Sequence, residues 1–168
     1  QALMSGTGQQ HTVVGYQALM TSSGLFNVAM GYRTGRVITS GQNNTMIGTS
    51  AMSAQTTANN NVAVGFSSLN GSITKSGAQN SVAVGMSALS GNGQSDNVAI
   101  GYFAGNANDG SGNVFIGAQA GRNEVGSNKL YIANNATPTP LIYGDFASAA
   151  VIIHGSLNIT GRIYLEGS

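Results

Sequence analysis

A short apolar pattern closed by glycine recurs in frame along most of the chain, and no other feature limits the fold as much. It reads Asn27-Val28-Ala29-Met30-Gly31-Tyr32, Asn61-Val62-Ala63-Val64-Gly65-Phe66, Ser81-Val82-Ala83-Val84-Gly85-Met86 and Asn97-Val98-Ala99-Ile100-Gly101-Tyr102. Looser copies are His11-Thr12-Val13-Val14-Gly15-Tyr16, Asn44-Thr45-Met46-Ile47-Gly48-Thr49 and Asn113-Val114-Phe115-Ile116-Gly117-Ala118. The anchor glycines Gly15, Gly31, Gly48, Gly65, Gly85, Gly101 and Gly117 are spaced 16, 17, 17, 20, 16 and 16 residues apart. Three residues after most of them stands a small residue (Ala18, Ala51, Ser68, Ala88, Ala104, Ala120), followed by Leu, Met or Gly. Gln1-Ala2-Leu3 matches Gln17-Ala18-Leu19, so an eighth copy is under way at the start. Gln1 is no natural start, which makes the sequence read as an excised segment.

A period near 16 is too short for a helical-hairpin repeat, which needs more than thirty residues. It suits one coil of an all-β parallel solenoid, built from two short strands and two turns. The Val-Ala-Ile/Val core is rich in β-branched residues, as a strand requires. Alternation along a strand puts its first and third residues on one face and its middle residue on the other. Val62 and Val64 are expected inside the coil and Ala63 outside. The middle positions Val13, Ala29, Met46, Ala63, Ala83, Ala99 and Phe115 are never polar, so they are expected to be covered by partner chains. The anchor glycine is expected at a turn or a close backbone approach, because it lacks a Cβ. The Asn before the strand can bond local backbone or stack on the Asn one coil above. The 20-residue gap holds an insertion, Gly71 to Gly77, of the kind that projects from one corner and carries contacts.

Composition narrows the function. Only 7% of residues are charged, against roughly 25% in an average globular protein, which fits a chain that buries much of its flank against copies of itself. No apolar run approaches the ~18 residues of a transmembrane helix, so no membrane insertion is expected of this segment. There is no cysteine, hence no disulfide and no thiolate metal site. The net charge is +1 and Arg33, Arg36, Lys75, Arg122, Lys129 and Arg162 are scattered, so a nucleic-acid footprint is missing. His11 and His154 are too few and too far apart for a metal motif, and no cofactor is expected. Asp96, Asp109, Glu124, Asp145 and Glu166 form no acid–base pair in sequence, no serine sits in Gly-x-Ser-x-Gly, and Gly105 to Gly112 is not a phosphate loop. The chain is expected not to be an enzyme.

The repeat resembles the head of the trimeric autotransporter adhesins of the YadA family, and equally the repeats of phage tail fibres. The resemblance covers residues 1–127. It implies a left-handed parallel β-roll, three rolls side by side around a threefold axis, and an extracellular place on a bacterial surface fibre or a phage tail. The function it implies is a structural and adhesive segment that attaches to another cell or to a surface receptor, with carbohydrate the expected ligand class.

Residues 128–168 depart from the repeat. Asn128 to Ile132, Leu141 to Phe146 and Val151 to Gly155 read as strands, with Thr137-Pro138-Thr139-Pro140 a stiff connection. This tail resembles the segment that precedes a self-cleaving chaperone or tip domain in fibre proteins, and it is expected to cap the solenoid. Arg162, Tyr164 and Glu166 form a polar-aromatic cluster, displayed three times in a trimer, and are the candidate receptor-binding residues. Tyr16, Tyr32, Phe66 and Tyr102 follow the anchor glycines and read first as a stacked ladder, second as a sugar-stacking row. Two rival classes fit less well. A left-handed β-helix acyltransferase would need a six-residue sub-period, and an ice-binding solenoid a regular Thr-x-Thr array.

Overall fold

A computed structural model describes residues 10–71, 77–91, 95–162 and 164. Gln1-Ala2-Leu3, Lys75 with most of the long insertion, and Glu166 lie outside the described residues. The fold is an all-β parallel solenoid with coils of about sixteen residues, and no helix occurs among the described residues. Seven three-residue strands follow one another: β1 (Thr12–Val14), β2 (Val28–Met30), β3 (Thr45–Ile47), β4 (Val62–Val64), β5 (Val82–Val84), β6 (Val98–Ile100) and β7 (Val114–Ile116). Each pairs in parallel with the next, with identical repeat positions in register, as in Ala63↔Ala83 and Ala83↔Ala99. The eighth strand, β8 (Lys129–Ile132), pairs in parallel with β7. The chain then reverses, and β9 (Ile142–Asp145) and β10 (Ala150–Ile153) extend the same ten-stranded sheet as an antiparallel hairpin. The three tail strands thus stand where the sequence places them, and the sheet runs unbroken from the repeats into the tail.

Each coil has one strand, not the two expected from its length. The return path is a chain of turns, because it repeatedly enters the left-handed region. The second residue after the anchor glycine has φ of 51–59° in every coil (Gln17, Arg33, Ser50, Ser67, Ser87, Phe103, Gln119). Leu19, Met52, Leu69 and Leu89, the fourth residue, have φ of 47–49°. Such a backbone is costly for a residue with a Cβ, by roughly 1–3 kcal/mol, and cannot continue a strand. Hydrogen bonds to neighbouring coils hold it: Ser67 N–H donates to Thr49 O at 3.0 Å and Leu69 N–H to Ala88 O at 2.8 Å. The anchor glycines combine a left-handed turn with close approach. Gly48 and Gly65 have φ of 128° and 131°, and a Cβ on either would stand 2.6 Å from the carbonyl oxygen of the anchor glycine one coil on.

The structure inverts the inside and outside of the strands. Ala29, Met46, Ala63, Ala83, Ala99 and Phe115 are fully buried within their own chain, and Val13 packs against the same core. The six fully buried side chains are therefore closed to any partner chain, contrary to expectation, while Val13 is half-buried. They meet the small and large residues of the return path, Ala18, Leu19, Ala51, Met52, Leu69, Ala88 and Leu89, which are also buried. The coil is so thin that a strand residue and a corner residue must share the space between them. Where the strand supplies Ala, the corner supplies Leu or Met. Where it supplies Met46 or Phe115, the facing corner residue is glycine: a Cβ on Gly35 would stand 2.9 Å from Met46 Sδ, and Cβ atoms on Gly105 and Gly121 would strike the Phe115 ring. The bulky first and third strand residues point out instead.

A buried ladder of amides runs beside the core. Asn27, Asn44, Asn61, Asn97 and Asn113 are almost fully buried. Asn27 Oδ1 accepts from Asn44 N–H at 3.0 Å and Asn44 Nδ2 at 2.9 Å. Asn44 Oδ1 accepts the same two groups of Asn61 at 3.1 and 3.0 Å. The free amide hydrogens go to return-path carbonyls, Asn44 Nδ2 to Ala58 O at 2.7 Å and Asn61 Nδ2 to Ala78 O at 2.7 Å. Asn113 Oδ1 takes Lys129 N–H at 2.7 Å, which carries the ladder into β8. Every coil thereby registers the next.

His11 is the first described rung, and it is an imperfect one. Its Nδ1 accepts from Asn27 N–H at 3.2 Å, so that nitrogen carries no proton, while its buried Nε2 has no partner among the described residues. Burial lowers its pKa below the usual histidine value of 6.5, against an opposing contribution from the Gly24 backbone. The unfolded chain therefore binds the proton more tightly than the folded one, and stability falls as pH drops through 6.5. Thermal unfolding followed by circular dichroism between pH 7.5 and 5 is expected to show this loss. His11→Asn, which restores a two-way amide rung, is expected to reduce it. An equal pH dependence in both proteins would refute the assignment.

Candidate functional site

The most extensive feature on the surface is a strip of outward strand side chains. Val14 (56% exposed), Met30, Ile47, Ile100 (45%) and Ile116 are open to solvent, and Val64 and Val84 in the same column are half-buried. The first strand positions, Val28, Val62, Val82, Val98 and Val114, form a parallel half-buried column. With parallel strands ~4.8 Å apart, the strip is roughly 30 Å long. No charged residue occurs in β1 to β7. Single exposed apolar residues are ordinary, but a continuous apolar face of this length is not.

An exposed row, Tyr16, Tyr32, Phe66, Met86 and Tyr102, flanks the strip one residue beyond each anchor glycine. Tyr16 and Tyr32 stack at 5.7 Å with their planes 10° apart, and the Arg33 guanidinium lies 5.0 Å over the Tyr32 ring. The ladder is incomplete, because Thr49 and Ala118 interrupt it.

The far end of the sheet is built differently. Phe115, Tyr131 and Tyr143 form a run of tilted and edge-on rings, 5.9 and 5.3 Å apart. Lys129 and Asp145 face each other across β8 and β9 and pair at 2.8 Å. The bond raises the Lys129 pKa and lowers that of Asp145. Both side chains are partly covered, and the pair ties β8 to β9 at their ends. Beside it, the strip ends in a groove of about 550 Å³ between Ile116, Ile132, Leu141 and His154, where His154 Nδ1–H donates to Pro140 O at 2.7 Å.

Of the candidate receptor-binding residues, Arg162 and Tyr164 are among the described residues and Glu166 is not. Arg162 is exposed and Tyr164 is 79% exposed. Sequence reasoning also missed the strip, since it assigned the outward row to the core. The signal was present four residues after each anchor glycine, where Leu or Met accompanies a small strand residue and Gly accompanies Met46 or Phe115. No group of three metal-ligating side chains occurs among the described residues, nor any helix long and apolar enough to cross a membrane. No protein-family model, curated protein or solved structure matches the chain.

Proposed function

We propose that this chain is a structural and adhesive segment of a homotrimeric fibre exposed outside the cell, on a bacterial surface or a phage tail. Three left-handed rolls stand side by side around a threefold axis, each burying its strip of outward Val, Ile and Met side chains against the others. The tail hairpin caps the rolls at one end. The fibre carries no catalysis and no cofactor, and it holds a binding surface away from its base, where it meets a carbohydrate receptor.

One observation carries this reading: the continuous apolar strip that a single chain leaves open. The low charge of the whole chain supports it, since a lone solenoid has every reason to solvate its flank. The resemblance of the repeat to trimeric adhesin heads gives the number of chains. Light scattering coupled to size exclusion is expected to return three times the chain mass of 16.9 kDa at micromolar concentration. A monomer or a dimer under those conditions would remove the basis of the proposal.

A further inference from the structure

Among the described residues, the last coil is the one whose return path has no successor stacked on it. Lower in the array, the peptide N–H four residues after the anchor glycine donates to the coil that follows. Met52 N–H reaches Ser68 O, Leu89 N–H reaches Ala104 O and Gly105 N–H reaches Ala120 O, at 2.9–3.0 Å. Two residues further along, the bond to the next coil is made in two coils among the described residues, by Ala107 N–H to Arg122 O and by Ala54 N–H to Asn70 Oδ1, both at 2.9 Å. The equivalent donors of the last coil are Gly121 and Asn123. The chain leaves the coil path after Ala133 and reverses into β9, so neither donor has a partner among the described residues.

The space left over is a partly enclosed cavity of about 310 Å³. It is lined by Gly121, Arg122, Asn123, Glu124 and Tyr131, with Ala136 to Pro138 crossing one side. That volume is at the small end of ligand pockets. Its polar groups are held in place. Glu124 occupies the position of Asn108 one coil earlier and does the same backbone work, with Oε1 accepting Gly126 N–H at 2.6 Å as Asn108 Oδ1 accepts Gly110 N–H. Its second oxygen takes the Tyr131 hydroxyl at 2.6 Å. Burial, with the Glu124 carboxylate beside it, pushes the Tyr131 pKa up, so the phenol stays a donor. Arg122 lies 5.0 Å over the Phe103 ring and bonds Gln119 Oε1 at 3.1 Å, which fixes its guanidinium at the rim.

We infer that this end cavity is a saccharide subsite that takes one neutral pyranose unit. The ligand must bring acceptors for two open peptide donors and donors for a carboxylate, on a small rigid frame. Vicinal ring hydroxyls meet all three demands, since each hydroxyl both donates and accepts. The Tyr131 ring and Pro138 offer apolar surface for the C–H face of the sugar. The Glu124 carboxylate and the Arg122 guanidinium leave the lining without net charge, which suits a neutral unit. The site rests on the adhesive reading above for its biological sense and moves recognition from the extreme C-terminus to the end of the coil array.

The test uses the full chain and methyl glycosides of a neutral hexose and an N-acetylhexosamine as probes. Amide resonances of Gly121 and Asn123 are expected to shift saturably with one of them. Glu124→Gln, which keeps the side-chain shape and removes the carboxylate that accepts from the sugar hydroxyls, is expected to weaken binding about tenfold, the equivalent of 1.4 kcal/mol. Arg162→Ala is expected to leave it unchanged. Without ligand, the Gly121 and Asn123 amides are expected to exchange with solvent much faster than those of Gly105 and Ala107, and equal protection would overturn the premise. A glycan array probed in parallel separates the two ideas. Array binding with unmoved Gly121 and Asn123 amides puts recognition elsewhere and overturns the subsite alone. Shifted amides with a silent array keep the subsite and count against adhesion. Silence in both overturns both.

Discussion

Ile100→Glu is expected to convert the proposed trimer into single chains without unfolding them. The side chain stands near the middle of the outward strip and is 45% exposed in one chain. A carboxylate there is solvated as long as the chain is alone, so the solenoid tolerates it. In the trimer, three such carboxylates would gather near one axis without a cation in reach on β1 to β7. The desolvation of each and their mutual repulsion amount to several kcal/mol per charge. Light scattering is expected to fall from three chains to one, with the far-ultraviolet β signal retained. Ala107→Glu, on the exposed return path, is expected to leave the trimer intact. Ala99→Glu separates the two faces of the same strand. It drives a charge into the coil interior and is expected to abolish folding, where Ile100→Glu abolishes only association. A trimeric Ile100→Glu protein would refute the assignment of the strip.

Asn44→Leu is expected to cost about 3–5 kcal/mol, from the loss of a fully satisfied rung. Asn44 is 1% exposed, and its side chain serves Asn27, Asn61 and Ala58 at once. Leucine has a similar volume, so the change leaves little cavity. It strands the Asn61 N–H, one Asn61 amide hydrogen and the Ala58 carbonyl in a dry interior. Each stranded group costs roughly 1–3 kcal/mol. For a chain of this length the midpoint of thermal unfolding is expected to fall by roughly 10 °C. The exposed outer row offers the control. Asn43 Nδ2 donates to Asn60 Oδ1 at 3.3 Å in contact with water, and Asn43 has φ of 58°. Asn43→Gly keeps that backbone unstrained, and it is expected to cost about 1 kcal/mol or less. Equal losses from the two substitutions would show that the buried ladder contributes nothing beyond an ordinary surface bond.

The strands and their stacking are legible in the sequence because the repeat fixes them twice, through β-branched residues and through spacing. The tail strands are legible for the first of these reasons. Which strand face lies inside is not. Alternation defines two faces without saying which one is covered, and the larger side chains of Val62 and Val64 invite the wrong choice. The deciding quantity is the width of the coil, which the structure shows to be too small for Val opposite Leu69. A trace of it exists in the pairing of Phe115 with Gly105 and Gly121, where one large residue is matched by two absent side chains. The end cavity leaves no trace at all. It depends on the chain leaving its path after Ala133, and neither Gly121 nor Asn123 differs in type from many other loop residues.

The amide rungs of Asn27 to Asn113 and the strand bonds beside them all point along the direction in which the coils pile up. A pull along that direction therefore loads each layer in tension, one after another, and not many layers in shear together. Mechanically the rod resembles a stack of coins more than a cable. Its stiffness against stretching has to come from side-to-side cohesion between neighbours, so an extended and loaded filament of this design gains strength by thickening and none by adding layers.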